Sequence, residues 1–326
     1  MKFSHRRQFI HLVASAAALP ALSCIASAQT YPSRPIRWVV PYPPGGPADI
    51  LARFVGQPLS ERAGVAVVVE NRPGASGNLG TEDVVRAPPD GYTLLLVTAA
   101  NAVNVSLFPS LNFNFVRDIA PVVGLIRTPL VMEVNPTFPA NTVAEFIAFA
   151  KANPGKLNMA SSGLGTPQHV SGELFKMMTG VEMTHIPFRG VAPALTALMG
   201  NQVQVMFDTT PGSIAHIKAG NLRPLGVTTS ERALALPNVP TISETLPGYE
   251  ASGWYGIGTQ REVPVEIVGK LNQQMNGILS DPKVKDQLGE LGAVVIGGSS
   301  EEFKNLIEVE TEKWRKVVQF AGLKPE

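Results

Sequence analysis

Short runs of β-branched and other apolar residues alternate with segments of helical period along this chain. Such runs occur at residues 36–40, 65–69 and 93–97 in a first block and near 157–159, 183–186, 203–207 and 225–227 in a second. Between the first two of these runs, a helical segment passes through residues 50–59 and ends at Gly64. This alternation is typical of α/β proteins in which helices cover both faces of a mainly parallel sheet. It predicts two doubly wound sheets.

Two extended stretches connect the blocks. Residues 121–134 are predicted as two strand-like halves around Thr128-Pro129, and residues 252–259 as an extended run rich in glycine and aromatic residues. If both are crossover strands, the first domain is discontinuous. We predict domain 1 from residues 29–128 plus 255–326 and domain 2 from residues 129–254. Because open α/β sheets bind ligands at the carboxyl ends of their strands, a ligand cleft is expected between the domains.

The first 28 residues have the pattern of an export signal. Arg6-Arg7 precede an apolar stretch at residues 9–22 that is too short to span a bilayer, and Ala26-Ser27-Ala28 offers a small-residue cleavage site. The order around the arginine pair resembles a twin-arginine signal, with His5 where arginine is usual, and the Sec route stays open. Cleavage near Ala28 predicts a periplasmic protein.

Cysteine content and charge exclude several classes of protein. Cys24 is the only cysteine, so cleavage would leave neither a disulfide nor a thiol nucleophile, although lipidation at Cys24 stays open. Without the three cations before residue 28, the chain has 24 basic and 26 acidic residues, a net charge of about −2. The basic residues form no aromatic-interleaved stripe, and no later apolar run is long enough to span a membrane. We expect neither nucleic-acid binding nor stable membrane insertion.

A proline- and glycine-rich loop at residues 41–49, called the first loop, leads from an apolar run into a helix. Gly45 and Gly46 let the backbone come close to a ligand, and Pro47 suits the first helical position. The free amide groups of that helix N-terminus should point outward, and such a terminus attracts anions. The first loop therefore predicts a site for a small carboxylate.

The second loop, residues 161–169, has the same layout after the predicted strand near 157–159. Thr166 is a good N-cap and Pro167 a good first residue of a helix that ends at Gly180. Each loop alone is more simply explained as an ordinary strand-to-helix turn. The matched pair favours two helix N-termini that face one anion.

Other chemistries lack their sequence signals. No lysine follows the glycines as a Walker loop requires, and neither loop contains G-x-G-x-x-G, which argues against nucleotides. No His/Asp/Glu spacing resembles a zinc site, and Ser161 and Ser162 lack the G-x-S-x-G frame of a nucleophile elbow. We predict no cofactor, no metal and no enzymatic activity, while a triad assembled from distant residues stays open.

An ordered set of motifs spans the residues after the export signal. It consists of Tyr31-Pro32 with Arg34-Pro35-Ile36, Pro43-Pro44-Gly45-Gly46 with Asp49, Glu70-Asn71-Arg72-Pro73-Gly74-Ala75, Pro89-Asp90-Gly91-Tyr92-Thr93-Leu94, Ser161-Ser162-Gly163 with Gly165-Thr166 and His169, Pro187-Phe188-Arg189-Gly190 with Ala192-Pro193-Ala194-Leu195, Phe207-Asp208, and Ile217-Lys218-Ala219-Gly220. Each motif alone is modest, but the set is highly specific. The chain resembles the substrate-binding receptors of the tripartite tricarboxylate transporter system, the Bug family.

The resemblance implies a type II-like, two-domain periplasmic binding protein. Loops of both domains would hold ligand carboxylates through backbone amides, hydroxyl groups and bridging waters. The predicted ligand-binding residues are Pro44, Gly45, Gly46, Pro47, Ala48, Asp49, Thr98, Ala99, Ser161, Ser162, Gly163, Thr166, His169, Arg189 and Asp208. Ala48 stands where other members have Ser or Thr, so one side-chain donor is missing here.

Several of these residues also have a purely structural explanation. Asp49 lies near the third helical position, where a carboxylate stabilises the helix dipole by roughly 0.3 to 1 kcal/mol. Asp208 either anchors its loop or selects the ligand, and His169 either donates a ring N–H to an anion or is a structural histidine. Arg72 and Arg189 either neutralise a distal carboxylate of the ligand or brace their loops.

The predicted function is a periplasmic receptor that captures a small organic carboxylate and delivers it to membrane subunits of a tripartite tricarboxylate-type transporter. A monomer is expected. The alternative is a sensory receptor that reports the carboxylate to a signalling partner. A hydrolase or isomerase that uses the same cleft is less favoured, and a structural envelope protein least, because it would not need paired donor loops.

Overall fold

The computed structural model describes residues 31–290 and 292–324. The predicted export signal, with Cys24 and the cleavage site at Ala28, lies outside these residues. Within the described part, no helix is long and apolar enough to cross a membrane. Strands and helices alternate as predicted, so the fold class is α/β.

The first block contains three parallel strands and the helices that follow them. Its elements are β1 (Ile36–Val40), α1 (Pro47–Ala63), β2 (Val67–Asn71), α2 (Asn78–Val85), β3 (Thr93–Thr98), α3 (Ala99–Leu107) and α4 (Phe115–Asp118). Helix α1 ends as predicted at Gly64, which has φ +68°. The predicted strand at 65–69 begins two residues too early, because the carbonyl of Val65 accepts a hydrogen bond from Ser60 of the preceding helix at 2.7 Å.

Strand β4 (Ile119–Val134) carries the chain from the first sheet to the second. The predicted break at Thr128-Pro129 is wrong, because the strand is continuous over 16 residues. Its partners nevertheless change there. Up to Pro129 it pairs with β9 (Ser252–Gln260), and from Leu130 onward it pairs with β7 (Val205–Thr209).

The second block repeats the alternation. Besides β7, its elements are α5 (Val143–Ala152), β5 (Leu157–Ser161), α6 (Pro167–Thr179), β6 (Met183–Pro187), α7 (Val191–Met199), α8 (Thr210–Lys218) and β8 (Arg223–Val227). Strand β7 starts two residues later than predicted, because the chain still turns after α7, with the amide of Gln202 bonded to the carbonyl of Ala197. The strand also ends two residues later, at Thr209, so Asp208 lies within it and not in the loop after it.

The chain then returns through β9 to the first sheet. The remaining elements are α9 (Val265–Leu279), α10 (Pro282–Glu290), β10 (Val294–Gly297) and α11 (Ser300–Ala321). The strand order is β2-β1-β3-β9-β4-β7-β5-β6, with β8 and β10 also paired to β4. Strands β1, β2 and β3 are parallel, as are β5, β6 and β7, whereas β4 and β9 pair antiparallel to their neighbours.

The hydrophobic core has two main parts. One packs α1, α9 and the first sheet around Trp38, which is fully buried. The larger part includes residues of both sheets and of α11, whose Trp314 is also buried. Helix α11 contacts α3 of the first block and α6 of the second. It is therefore a packing bridge between the blocks.

Candidate ligand-binding site

Strand directions bring two sheet edges opposite each other. Strands β3 and β4 are both antiparallel to β9, so they run the same way, and β4 leads into the second sheet. The carboxyl end of β3 therefore points toward the second sheet. Strand β7 is antiparallel to β4, so its carboxyl end points back toward the first sheet. The loops after β1, β2 and β3 thus face the loops after β5, β6 and β7, as expected of a cleft between open α/β sheets.

The first loop places an open helix N-terminus at this edge. Gly46 is the N-cap of α1, Pro47 is its first residue, and no side chain caps this first turn. The first intrahelical bond runs from the amide of Ile50 to the carbonyl of Gly46 at 3.0 Å. The amides of Ala48 and Asp49 precede this bond and have no acceptor in the helix. They are the donors that an anion could use.

Asp49 holds the first loop together. Its buried carboxylate accepts hydrogen bonds from the Gly45 amide at 2.9 Å, from Arg53 Nε at 3.0 Å and from Asn71 Nδ2 at 3.0 Å. The hydrogen bond from Arg53 is the main reason that the pKa of Asp49 falls to about 2, and the Gly45 amide adds to it. The amide of Gly45 is therefore already engaged within the loop. This geometry supports the structural explanation of Asp49.

Tyr42 connects the first loop to the ends of β2 and β3. Its hydroxyl lies 3.1 Å from Thr98 Oγ1, and its carbonyl accepts a hydrogen bond from Asn71 Nδ2. Thr98 caps α3 in a capping box with Asn101, whose Oδ1 accepts from the Thr98 amide at 2.8 Å. Thr98 and Ala99 are both buried at the end of β3. Thr98 supports the first loop through its contact with the hydroxyl of Tyr42.

A third loop, residues 72–77, was not among the predicted ligand-binding residues. It follows β2, and Gly77, the N-cap of α2, lies directly against Pro41 and Tyr42. Four consecutive residues, Gly74 to Gly77, have φ values of +134°, +47°, +54° and +90°. Two of these residues are not glycine, which makes the conformation strained. The glycines and proline that follow the apolar run at residues 65–69 are the available sequence signal.

The second loop also ends in an open helix N-terminus. Thr166 is the N-cap of α6 and Pro167 its first residue, as predicted, but no side chain caps this turn. Instead the hydroxyl of Thr166 donates to the carbonyl of Gly163 at 2.7 Å. Gly163 has φ +138° and Gly165 has φ +71°, a conformation that favours glycine. The amides of Gln168 and His169 precede the first intrahelical bond, from Val170 to Thr166.

Buried side chains brace the second loop from behind. Ser161 Oγ lies 2.6 Å from His185 Nε2 and accepts a hydrogen bond from the Gly163 amide at 3.1 Å. The rings of His169 and His185 stack with centroids 3.6 Å apart. Burial is the main reason that the pKa of His185 is lowered to about 3, and the electrostatic effect of His169 is the second. His185 is therefore neutral at physiological pH.

His169 faces the protein with both ring nitrogens. Nδ1 accepts a hydrogen bond from the Gly165 amide at 3.1 Å, so the ring proton is placed on Nε2, which points toward Glu173 Oε1 at 3.7 Å. The ring is 1% exposed. This arrangement supports the structural explanation of His169 and not the donation of a ring N–H to an anion.

The remaining predicted residues divide between surface and interior. Ser162 is half-buried, and Arg189 is exposed on the loop after β6 with no ion pair to any described residue. Arg72 bonds to Glu70, with 2.6 Å between Nη2 and Oε1, so it braces the third loop. Asp208 is wholly buried and bonded to Ser213 and Gln168. Of the two arginines, Arg189 is the one without an ion pair to a described residue.

The two blocks touch beside the loops. A Cβ atom on Gly165 of the second loop would lie only 2.7 Å from Leu107 Cδ2 of α3. The second loop therefore packs against the helix that follows β3, and the first loop lies beside that strand's end.

Within residues 31–290 and 292–324, no group of three or more His, Cys, Asp or Glu could hold a metal ion.

The chain matches the family model described as "Tripartite tricarboxylate transporter family receptor" over residues 51–323. This chain belongs to that family. Protein BugT of Bordetella pertussis is 35% identical to it over 310 residues, which are 94% of this chain and 95% of BugT. The predicted family is thus confirmed. Because it is a family of receptors, the prediction that the chain is not an enzyme is confirmed too.

Three solved structures share the fold of this tripartite tricarboxylate transporter receptor. "R. palustris Rpa4515 with adipate" is 38% identical, with a TM-score of 0.81, and covers 91% of this chain and 100% of its own. "MatC (Rpa3494) from Rhodopseudomonas palustris with bound malate" is 32% identical, with a TM-score of 0.78, and covers 88% of this chain and 100% of its own. The "Structure of periplasmic binding protein BugD" is 32% identical, with a TM-score of 0.78, and covers 91% of this chain and 100% of its own, so the predicted periplasmic binding protein fold is confirmed.

Proposed function

We propose that this receptor captures a small organic carboxylate between the first and second loops. The observation that carries the proposal is the pair of open helix N-termini, at Gly46 and Thr166, on sheet edges that face each other. Uncapped amides and the helix dipole both favour a negative group at such a terminus. The similar structures with adipate and with bound malate agree with this ligand class.

Backbone donors are sufficient for useful affinity. Four to six hydrogen bonds to charged oxygens, at roughly 1.5 to 3 kcal/mol each, can offset the cost of ordering a small ligand and leave about −8 kcal/mol, a micromolar Kd. The amides of Ala48, Asp49, Gln168 and His169 supply four such donors. No charged side chain has to contact this carboxylate.

Arg189 is the candidate partner for a second carboxylate. It lies on the loop between β6 and α7, at the same edge as the second loop, and the Phe188 amide is bonded to the Ser161 carbonyl at 2.9 Å. An exposed guanidinium without an ion pair can bind a carboxylate in bidentate fashion. We therefore propose a dicarboxylate as the preferred ligand.

The capture requires two bodies that close on each other. We propose domain 1 from residues 29–128 plus 255–326 and domain 2 from residues 129–254, since the partners of β4 change between Pro129 and Leu130. The bound form would then be recognised by the membrane subunits of a tripartite tricarboxylate-type transporter. Export to the periplasm places the receptor where it can meet them.

Mass spectrometry of the purified protein and thermal shifts against a panel of acids test this function. At a hundredfold excess over Kd, a ligand should add roughly 2.7 kcal/mol to the free energy of unfolding. We expect adipate or malate to raise Tm, hexanoate to do so less, and 1,6-hexanediol not at all. Arg189→Gln should weaken the binding of dicarboxylates more than the binding of monocarboxylates. The proposal fails if only non-acidic compounds copurify or raise Tm.

A further inference from the structure

Two carboxyl groups are buried side by side behind the second loop. Glu133 lies on β4 and Asp208 on β7, where Asp208 pairs with Val131, two residues before Glu133 on the same strand. Both residues are completely buried. Two ionised carboxylates this close in a region of low dielectric constant would repel each other strongly.

The hydroxyl of Ser213 shows how this repulsion is avoided. Ser213 Oγ lies 2.7 Å from Glu133 Oε1 and 2.9 Å from Asp208 Oδ2. A hydroxyl group has one proton, so it can donate to only one of these oxygens. The other carboxyl group must carry a proton and donate it to Ser213.

Glu133 is the better candidate for the protonated group. Asp208 Oδ1 already accepts from Gln168 Nε2 at 3.3 Å. Burial raises the pKa of Asp208, but hydrogen bonding with Ser213, Gln168 and Thr209 opposes that rise. Glu133 receives no such help beyond Ser213, because its Oε2 is buried and has no hydrogen-bond partner among the described atoms. Burial, and then the charge of Asp208, raises the pKa of Glu133 well above its usual range.

The groups that face this pair are neutral. Ser213 comes from α8, Gln168 from α6 and Thr209 from the end of β7. In the described part of the chain, no Lys, Arg or His forms an ion pair with Glu133 or Asp208. The proton on Glu133 therefore has no cationic substitute.

Gln168 connects the pair to the ligand loop. It is the second residue of α6, directly after Thr166 and Pro167, and only 4% of it is exposed. Its backbone amide is one of the proposed ligand donors, while its side chain is held by Asp208. The hydrogen-bonded chain thus runs from Glu133 through Ser213 and Asp208 to Gln168, in the first turn of α6.

We propose that Glu133 is a positioning residue for ligand binding, which keeps one proton and, through Ser213, Asp208 and Gln168, holds the first turn of α6 in its ligand-binding position. Loss of the proton places a second negative charge behind that turn and removes the hydrogen bond to Ser213. Both effects weaken the binding of an anion at the second loop. The ligand part of this inference rests on the proposed function.

Infrared spectroscopy of the ligand-free protein at pH 7 tests where the proton is. The carbonyl stretch of a protonated carboxyl group should be present in the unmodified protein, absent in Glu133→Gln and retained in Asp208→Asn. Glu231→Gln, at an exposed position, is the matched control and should keep the band. A band that persists in Glu133→Gln but is lost in Asp208→Asn, or no band at all, overturns the assignment, whether or not any carboxylate binds.

Calorimetric titration with malate from pH 6 to pH 9 tests the link to binding, in a range where both malate carboxyl groups are largely ionised. We expect the affinity of the unmodified protein to fall by about tenfold or more across this range, and that of Glu133→Gln, which can still donate to Ser213, to stay level. Parallel pH profiles for the two proteins overturn the inference. If malate does not bind at any pH, that counts against the proposed function, and the infrared comparison still decides the position of the proton.

Discussion

The first and second loops have the same layout, with a strand, a glycine-containing turn and a helix that starts at proline, yet they are held in place by opposite means. In the first loop an ionised carboxylate, Asp49, gathers donors from the loop and from the partly exposed Arg53. In the second loop the glycine-containing turn is held from its buried side, by the hydroxyl of Ser161 and the stacked rings of His169 and His185. The shared layout supplies the amide donors, and tertiary contacts hold them in position.

The largest effect is expected at Ser161, because its hydroxyl is the centre of the buried support. Ser161→Ala would leave the Gly163 amide and His185 Nε2 without their partner, at a cost of about 2 to 4 kcal/mol in the free energy of unfolding. Denaturant unfolding measures it. Ser162→Ala, at the half-buried neighbour, should change stability by less than about 0.5 kcal/mol. Equal effects of the two substitutions would mean that the second loop is not held from behind.

The next largest effect separates the glycines of the two loops. Gly163 has φ +138°, so Gly163→Ala should cost about 1 to 3 kcal/mol through backbone strain. Gly46 has φ −83°, and a Cβ there would lie 3.7 Å from the Pro43 carbonyl oxygen, so Gly46→Ala should cost at most about 1 kcal/mol, from the poorer fit of alanine at an N-cap. Thermal unfolding of both variants checks this. A stable Gly163→Ala would contradict the backbone conformation of the second loop.

A smaller effect follows from the ionised state of Asp49. Its folded pKa of about 2 lies below the usual 3.8, so its contribution is complete above about pH 4 and is lost as the pH falls toward 2. Asp49→Asn should be less stable than the unmodified protein by about 1 to 2 kcal/mol at pH 7, and the difference should shrink between pH 4 and pH 2. Urea unfolding across this range measures it. A constant difference would argue against an ionised anchor.

The smallest effect is expected at Arg53, whose side chain is 53% exposed in its ion pair with Asp49. Arg53→Met should lower the free energy of unfolding only slightly, because water and salt screen an exposed pair. Repeating the unfolding in 1 M salt provides the control, and there the difference should largely vanish. A large cost that salt does not reduce would show that Arg53 acts by packing.

Much of the fold follows from local patterns in the sequence. Strand β1 and the ends of α1 and α6 follow from an apolar run, from Pro47 and Pro167, and from Gly64 and Gly180. The boundaries of β2 and β7 do not, because a side-chain hydrogen bond and a backbone turn shift each of them by two residues. Such contacts depend on neighbours that local propensity does not contain.

The site is only partly predictable for the same reason. The donor loops follow from glycine and proline, whereas the support of the second loop requires Ser161 and His185, 24 residues apart in sequence, to meet across β5 and β6. The role of Glu133 cannot be predicted from the sequence either, because a single acidic residue in an apolar strand does not reveal that Ser213 and Asp208 lie beside it. Long-range partners decide what these residues do.

A crystal structure of the mature protein with the acid that gives the largest rise in Tm tests the central claim most directly. We predict one carboxylate between the loops, with its oxygens within about 3 Å of the amides of Ala48 or Asp49 on one side and of Gln168 or His169 on the other. A ligand held by side-chain cations away from both helix N-termini, or by only one of the two loops, would contradict the account.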